Sequence, residues 1–556
     1  MSAATRAAAS LLPRRADYAG LAHSWRGDVI AGATVGVVAL PLALAFGITT
    51  GLGAEAGLIT AIVAGLVAAV FGGSNVQVSG PTGAMTVVLV PVVARYGPDA
   101  VLVVSILAGL LVVTAAILRL GRYLAFVPWP VVEGFTLGIA VIIFLQQVPA
   151  AVGVTKPEGE NTAVVAITAL GRAADDGRLA AVGVVVLVAA IMILLPRLHR
   201  SLPSSLLAVA AATAVVEVLD LDVTRIGHLP SSLPLPSFPS VSPGQISELF
   251  SAALAVAILA ALESLLSAKV ADGMADTGRH DPDRELFGQG LANLASPLFG
   301  GMPATGAIAR TAVNVRSGAR TRLAAIVHSL VLVIVVFTAG GVVGRVPLAA
   351  LAGVLMMTAW RMVELHNVRA VVRSTRSDAI VLGLTALATV VFDLIMAVEI
   401  GIAAAAVLAL RHVARTAQVT PMTPDELDRE QSGSLLDQGI LTYRLDGALF
   451  FGAAQRFLTE LTAVSDAKVV VLRLPDIQVL DATGAQALGE IVAELEHRGI
   501  TVLLKGPRPE HLRILAVTGA LDRLAHENHV FTDLDAALDH ARSHVHREPQ
   551  PVAPRV

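Results

Sequence analysis

Two ionisable residues stand where apolar sequence admits few: Glu263, inside the run LAVAILAALESLLSAKV, and Arg310, in GGMPATGAIARTAVNVRSG. A carboxylate inside a membrane span is costly and marks function by default, and here it is a candidate proton carrier. Ser267 lies one turn further along the same helix face. Lys269 sits nearer the end of the span, where its ammonium can snorkel. A guanidinium at a helix start adds full charge and a planar fork suited to sulfate or carboxylate oxygens. Just ahead of it, Thr305, Gly306, Ala307 and Ile308 would present backbone N–H groups to the same point. Each charge also has a plainer reading. Glu263 is then a structural carboxylate that pairs with Arg310 or caps a broken helix, and Arg310 is only its salt-bridge partner.

These groups need an unusual backbone to hold them. NVQVSGPTGAMTVVL (75–89) and GGMPATGAIARTAVNVRSG (300–318) lie about 225 residues apart, and in each Gly and Pro precede a short helix that opens with small residues. The short spans, 81–95 and 306–316, are too short to cross a bilayer alone. A half-helix starting inside the membrane leaves its first N–H groups unpaired and turns its positive end inward. Two such ends facing each other make a cationic pocket, and irregular backbone at that depth survives only where protein or water shields it. Alternatively, Gly and Pro simply kink two packed helices.

Composition agrees with a membrane setting. Of 556 residues, 55% are hydrophobic and 15% charged, against roughly a quarter charged in soluble domains; mean hydropathy is +0.73. A net charge of −3 points to no nucleic acid, and the absence of cysteine removes thiol catalysis and thiolate metal sites. Other spans are expected at about 28–48, 55–72, 99–118, 129–149, 179–195, 203–219, 249–270, 284–299, 321–342, 346–363, 378–393 and 395–413. With the two short ones they make fourteen crossings. Arg14, Arg15, Arg26, Arg119, Arg122, Arg197, Arg200, Arg279, Arg284, Arg320, Arg322, Arg373, Arg376, Arg411 and Arg415 fall on one side, which places both termini in the cytoplasm. Each short span is the third of a seven-span block, so the second block inserts upside down, as inverted-repeat transporters do.

The expected domains are a cytoplasmic leader (1–25), a membrane domain (26–415, repeats about 26–225 and 245–415), a polar linker (416–439), a soluble domain (440–543) and a disordered tail (544–556). The soluble stretch reads as strand, strand, amphipathic helix and strand, a small α/β domain. Glu133, Asp393 and Glu399 read as packing or interfacial charges, and His328 as a satisfied buried histidine, with a proton relay as its other reading. No HExxH, P-loop, GxSxG or dinucleotide fingerprint occurs in a credible setting, so no enzyme, cofactor or metal site is expected.

RGDVIAGATVGVVALPLALAFG, VQVSGPTGAMT, LESLLSAKVADG, FGQGLANLASPLFGG and ATGAIARTAVNVRSGART, in this order, resemble the SulP family of anion transporters from about Arg26 to His540, and the C-terminal part resembles a STAS domain. The resemblance implies a core (transport) domain moving against a gate domain in an elevator-like cycle, often in a dimer. It implies that Pro81, Thr82, Gly83 and Ala84 form an anion-facing turn and that Phe46 forms an apolar wall. Leu42 stands where several relatives have Gln. Sodium-coupled bicarbonate members have Asp, Thr and Gly where this chain has Glu263, Ser267 and Arg310, which favours H+ over Na+ as coupling ion. Thr483, in VLDATG, matches a phosphorylatable Ser of the anti-sigma-factor antagonists, or it caps the helix.

The resulting expectation is a multi-pass inner (plasma) membrane protein, a homodimer with its STAS domain in the cytoplasm. It would be a symporter of protons with sulfate or a C4-dicarboxylate (fumarate or succinate). The alternatives are sodium-coupled bicarbonate uptake, an uncoupled exchanger or channel, and a nucleobase permease, whose neutral aromatic substrate would leave Arg310 out of place.

Overall fold

The computed structural model describes residues 11–18, 20–122, 128–157, 159, 161–176, 179–198, 202–227, 234–236, 243–392, 394–416, 418–421, 438–449 and 467–545. The chain divides into two compact units, Met1–Ile402 and Ala403–Val556. Asp393, most of the expected linker and nearly all of the expected tail lie outside the described residues.

In lipid every backbone polar group must find an internal partner, so apolar stretches become helices. All fourteen expected spans do so. The first repeat holds α1 (Leu21–Thr50), α2 (Ala54–Phe71), α3 (Gly83–Tyr96), α4 (Asp99–Ile117), α5 (Trp129–Gln146), α6 (Thr162–Asp176), α7 (Leu179–Leu198) and α8 (Ser204–Val218). The second holds α9 (Pro243–Met274), α10 (Pro282–Leu298), α11 (Ile308–Arg316), α12 (Leu323–Val343), α13 (Leu348–Met362), α14 (Leu365–Ser374), α15 (Arg376–Val391) and α16 (Leu394–Thr416). Among the described residues, eight helices are long and apolar enough to cross a membrane unaided.

Among the described residues, two helices between the expected spans of the membrane unit were not expected from the sequence. α6 and α14 occupy the same place in the two repeats, each between the fifth and sixth span. Both are amphipathic, which suits the membrane interface rather than its core. A search for long apolar runs passes over them.

Packing obeys the repeat. α4 packs on α10 and α12 on α2; α1 packs on α12 and α9 on α4; α5 packs on α15 and α13 on α7. Each pair becomes the next when the repeats are exchanged, as an internal two-fold relation requires. Together with the packing of α2 on α10 and of α5 on α13, these contacts sort the helices into two groups, α1, α2, α4, α9, α10 and α12 against α5, α7, α13 and α15.

Arg15–Tyr18 form a single 3-10 turn, and Asp17 accepts both terminal nitrogens of Arg284 at the start of α10, at 2.9 and 2.6 Å. α1 itself starts at Leu21, inside the expected leader.

Among the described residues of the second unit, six strands form one sheet in the order β3 (Gln418–Pro421), β4 (Ile440–Leu449), β5 (Val469–Arg473), β7 (Thr501–Lys505), β8 (Val530–Phe531), with β6 (Ile477–Leu480) paired to β4. Only the β3–β4 pair is antiparallel. Strand side chains alternate between faces, which explains the unbroken apolar run of β5. Val470 and Leu472 join one core with α17 (Ala482–His497) and α18 (Pro509–Val517), whereas Val469 and Val471 join another with α19 (Leu534–Val545). β3 lies in the stretch read as linker, so the sheet begins before Ile440. Four residues ending in proline carry too little alternation to announce a strand.

Candidate functional site

The two Gly-Pro segments meet as a pair of two-residue strands. β1 (Ser79–Gly80) runs antiparallel to β2 (Thr305–Gly306), with Ser79 opposite Gly306 and Gly80 opposite Thr305. Side chains of the helix after β2 extend the junction at one end: Asn314 Nδ2 donates to Val76 O at 2.8 Å, and Thr311 Oγ1 accepts from Val78 N at 3.0 Å. The two strands launch the half-helices α3 and α11. With 14 and 9 residues, these rise only about 21 and 14 Å, against a hydrocarbon core of about 30 Å.

The first three N–H groups of each half-helix, those of Gly83, Ala84 and Met85 and of Ile308, Ala309 and Arg310, have no hydrogen-bond partner among the described residues. Gly306 and Ala307, expected to present free N–H groups, instead donate to Ser264 Oγ at 3.0 Å and to Val78 O at 2.9 Å. The Ser264 side chain takes up the first and the backbone of the opposite repeat the second, which moves the free donors on to Ile308, Ala309 and Arg310.

Arg310 is 3% exposed. Its Nη2 donates to the carbonyl of Pro81, on the opposite repeat, while Nη1 has no hydrogen-bond partner. Gly80 makes room for this approach: a Cβ there would lie 2.6 Å from Arg310 Nη1. Glu263 projects from α9 to the same place and accepts the hydroxyl of Thr82, the residue just ahead of α3, at 2.9 Å. Arg310 lies near enough for the two charges to interact, yet no ion-pair contact joins them. Phe46 is 5% exposed and lies against the start of α3, its Cε1 3.4 Å from where a Cβ on Gly83 would sit.

Phe46, Pro81, Thr82, Gly83, Ala84, Glu263, Thr305, Ile308 and Arg310 therefore converge on one junction. Ser267 stands behind it and donates to Thr311 Oγ1 at 3.2 Å, which fixes α9 against α11. Leu42 is buried. Thr483 belongs to the other unit and is exposed, but it does not cap its helix: Asp481 does, accepting Gly484 N at 2.7 Å. Glu133 accepts Trp129 Nε1 and Asn367 Nδ2, as an interfacial charge would. His328 is fully buried, but neither ring nitrogen has a hydrogen-bond partner, so it is not the satisfied histidine expected.

Several positioning residues were not singled out from the sequence. Ser264 bridges Thr305 Oγ1 at 2.9 Å and Gly306 N. On α10, buried Glu285 accepts Gly73 N, Ser74 N, Gln77 Nε2 and Gln289 Nε2, all within 3.0 Å. Gln289 also donates to Ser79 Oγ at 2.6 Å, and Asn293 bonds both the N–H and the carbonyl of Ala304. The signal was present: Glu285, Gln289 and Asn293 recur every four residues, a polar stripe along one helix face.

Such a fold, with a cationic junction between inverted half-helices, defines a membrane transporter for anions. Residues 25–385 match the sulfate permease family and residues 436–537 the STAS domain; the chain belongs to the sulfate permease family. It is 33% identical to "Putative sulfate transporter YvdB" of Bacillus subtilis over 91% of this chain and 96% of that one. It is 32% identical to the bicarbonate transporter BicA of Picosynechococcus over 84% and 86%. Among solved structures, the transmembrane domain of a cyanobacterial BicA is 29% identical and superposes with a TM-score of 0.63, covering 68% of this chain and 98% of that one. Murine Slc26a9, captured inward-facing, shares the fold with a TM-score of 0.81 at 16% identity, covering 96% and 94%. The protein is thus a polytopic anion transporter of this family with a STAS domain, and not an enzyme.

Proposed function

We propose that the protein is a secondary active transporter that carries a small dianion, sulfate or a four-carbon dicarboxylate such as fumarate or succinate, together with protons. The observation that carries this reading is the unpartnered, buried Nη1 of Arg310 beside six free backbone N–H groups. Charge balance favours a dianion with a proton. Each half-helix end contributes about half a positive charge and Arg310 one, so the junction holds about two positive charges when Glu263 is protonated. It holds about one when Glu263 is ionised. A dianion is therefore matched only in the protonated state, which couples the two binding events. Alternating access follows from movement of the group holding α1, α2, α4, α9, α10 and α12 against the α5, α7, α13 and α15 group, an elevator-like step.

Uptake into proteoliposomes tests the reading, with labelled sulfate, fumarate, succinate and bicarbonate each run against imposed pH and sodium gradients. Accumulation of sulfate or a dicarboxylate driven by an inward proton gradient is the expected result. The second reading, sodium-coupled bicarbonate uptake, is favoured by the similarity to BicA, and sodium-driven bicarbonate accumulation would replace the first. A homodimer in the plasma membrane with both termini cytoplasmic completes the proposal. Because the chain has no cysteine, single introduced cysteines report sidedness and dimer contacts without background.

A further inference from the structure

Four histidines gather at one end of the STAS unit. His540 and His544 stand one turn apart on the same face of α19, with Nε2 atoms 3.2 Å apart. His529 ends a 3-10 turn, Glu527–His529, immediately before β8, the edge strand of the sheet. Its ring centroid is 5.4 Å from that of His540 and 5.2 Å from that of His544. One nitrogen from each of the three rings lies within 4.8 Å of the others. His526, exposed, flanks His529 at 5.3 Å between centroids.

We propose that His529, His540 and His544 form a binding site for one divalent transition-metal ion of the zinc, nickel or cobalt class. The spacing fits. With metal–nitrogen bonds of about 2.0–2.1 Å, two ligands of a tetrahedral ion stand about 3.3 Å apart. The His540–His544 separation already meets this, and only the His529 ring needs to move closer. The donor set fits as well: three imidazoles and no carboxylate select ions of intermediate softness and disfavour magnesium and calcium.

His529 supplies the independent observation. It is fully buried, and neither ring nitrogen makes a hydrogen bond of normal geometry, although the Val502 backbone lies nearby. Buried polar groups are almost always satisfied, so nitrogens this poorly bonded are open to a ligand. His540 and His544 are half-buried, which leaves a path for the ion and a position for water as fourth ligand, the open arrangement of three-histidine sites.

The two ligand-bearing segments belong to different elements. α19 packs on β5, β7 and β8 through Ala537, Leu538 and Ala541, and a bound ion would pin its outer end to the loop before the sheet edge. Metal occupancy would therefore set how firmly the last helix of the STAS unit is held, a ligand-dependent ordering of the kind seen when metal binds only the folded state.

The test titrates the purified full-length chain with cobalt(II) and reads the visible ligand-field bands of four-coordinate cobalt, with zinc competition to confirm a shared site. Expected are one ion per chain, displacement by zinc, and binding weakened at least tenfold in the His540→Gln/His544→Gln double variant and in His529→Gln. His497→Gln, an exposed histidine elsewhere on the same unit, should bind as the parent does. If a variant with His529 replaced fails to fold, His544→Gln alone carries the comparison, since its ring is half-buried. The proposal is overturned if no cobalt bands appear with excess metal, or if the variants bind as tightly as the parent. It is likewise overturned if these histidines titrate with pH but take up no metal, which makes the cluster a proton-binding site only.

Discussion

The hydroxyl of Thr82 donates to Glu263 Oε2 at 2.9 Å, linking the residue ahead of the first half-helix to the carboxylate in the middle of α9. Anything bound at the α3 N-terminus thus shares a hydrogen-bond network with the Glu263 carboxylate. Arg310 completes the arrangement from the other repeat through Pro81. Glu263, Arg310 and the starts of both half-helices thus lie together at this point.

Thr82→Val keeps the shape of the side chain and removes the donor. A hydrogen bond to a charged group contributes about 1.5–3 kcal/mol, so proton-driven uptake should fall at least about tenfold, while Thr82→Ser should retain most of it. Equal uptake by Thr82→Val and the parent would separate Thr82 from the transport step.

Glu263→Gln preserves the acceptor for Thr82 but can no longer take up and release a proton. Accumulation driven by a pH gradient should be abolished, with anion exchange partly intact. Full pH-driven uptake in this variant would refute the role of Glu263 as proton carrier.

Arg310→Ala removes the only full positive charge of the junction among the described residues. Anion binding should weaken by about tenfold or more, consistent with the roughly 1.5–3 kcal/mol of a charged hydrogen bond. Arg310→Lys should recover only part of it, because an ammonium cannot bond Pro81 and an anion with the same fork. Isothermal titration with sulfate and succinate reads both effects, and unchanged affinity for every anion would remove Arg310 from the site.

Glu285 accepts four hydrogen bonds from the loop ahead of β1 and from Gln289. Glu285→Ala would leave those buried donors unpaired, at a cost of about 1–3 kcal/mol for each. A lowered thermal midpoint and poor recovery of folded protein in detergent are expected. A variant as stable as the parent would show that the loop finds other partners.

Asp17 gives the pH dependence of the membrane unit's entry. Burial pushes its carboxyl up, but the Arg284 hydrogen bond, the Arg14 backbone and the charges of Arg284 and Arg322 outweigh it and hold Asp17 at about 2, against an ordinary value of 3.8. A lowered folded-state value means that the stabilisation is complete above about pH 4 and drains away as pH falls from there through about 2. Asp17→Asn should lose it at every pH, about 1–3 kcal/mol for a charged pair of hydrogen bonds. Thermal melts at pH 7 and pH 3 check this: the gap between parent and variant should narrow at the lower pH.

The sequence by itself determined the membrane class, the positions of the fourteen spans, the inverted repeat and the two residues at the centre of the junction. Each depends on local properties: runs of apolar residues, Gly and Pro ahead of short helices, and charges that lipid does not tolerate without reason. It could not decide which backbone donors are free, because that depends on segments distant in sequence: Ser264 on α9 takes up Gly306 N and Val78 of the opposite repeat takes up Ala307 N, which leaves Ile308, Ala309 and Arg310. It passed over α6 and α14, whose amphipathic faces resemble surface helices until the two repeats are compared. It left Glu285, Gln289 and Asn293 as an unassigned polar stripe, and His529, His540 and His544 as unrelated residues, because only folding brings their partners within hydrogen-bond or ligand distance. Apolar pattern is written along the chain, whereas satisfaction of buried polar groups is decided between segments distant in sequence, and the candidate site consists mostly of the latter.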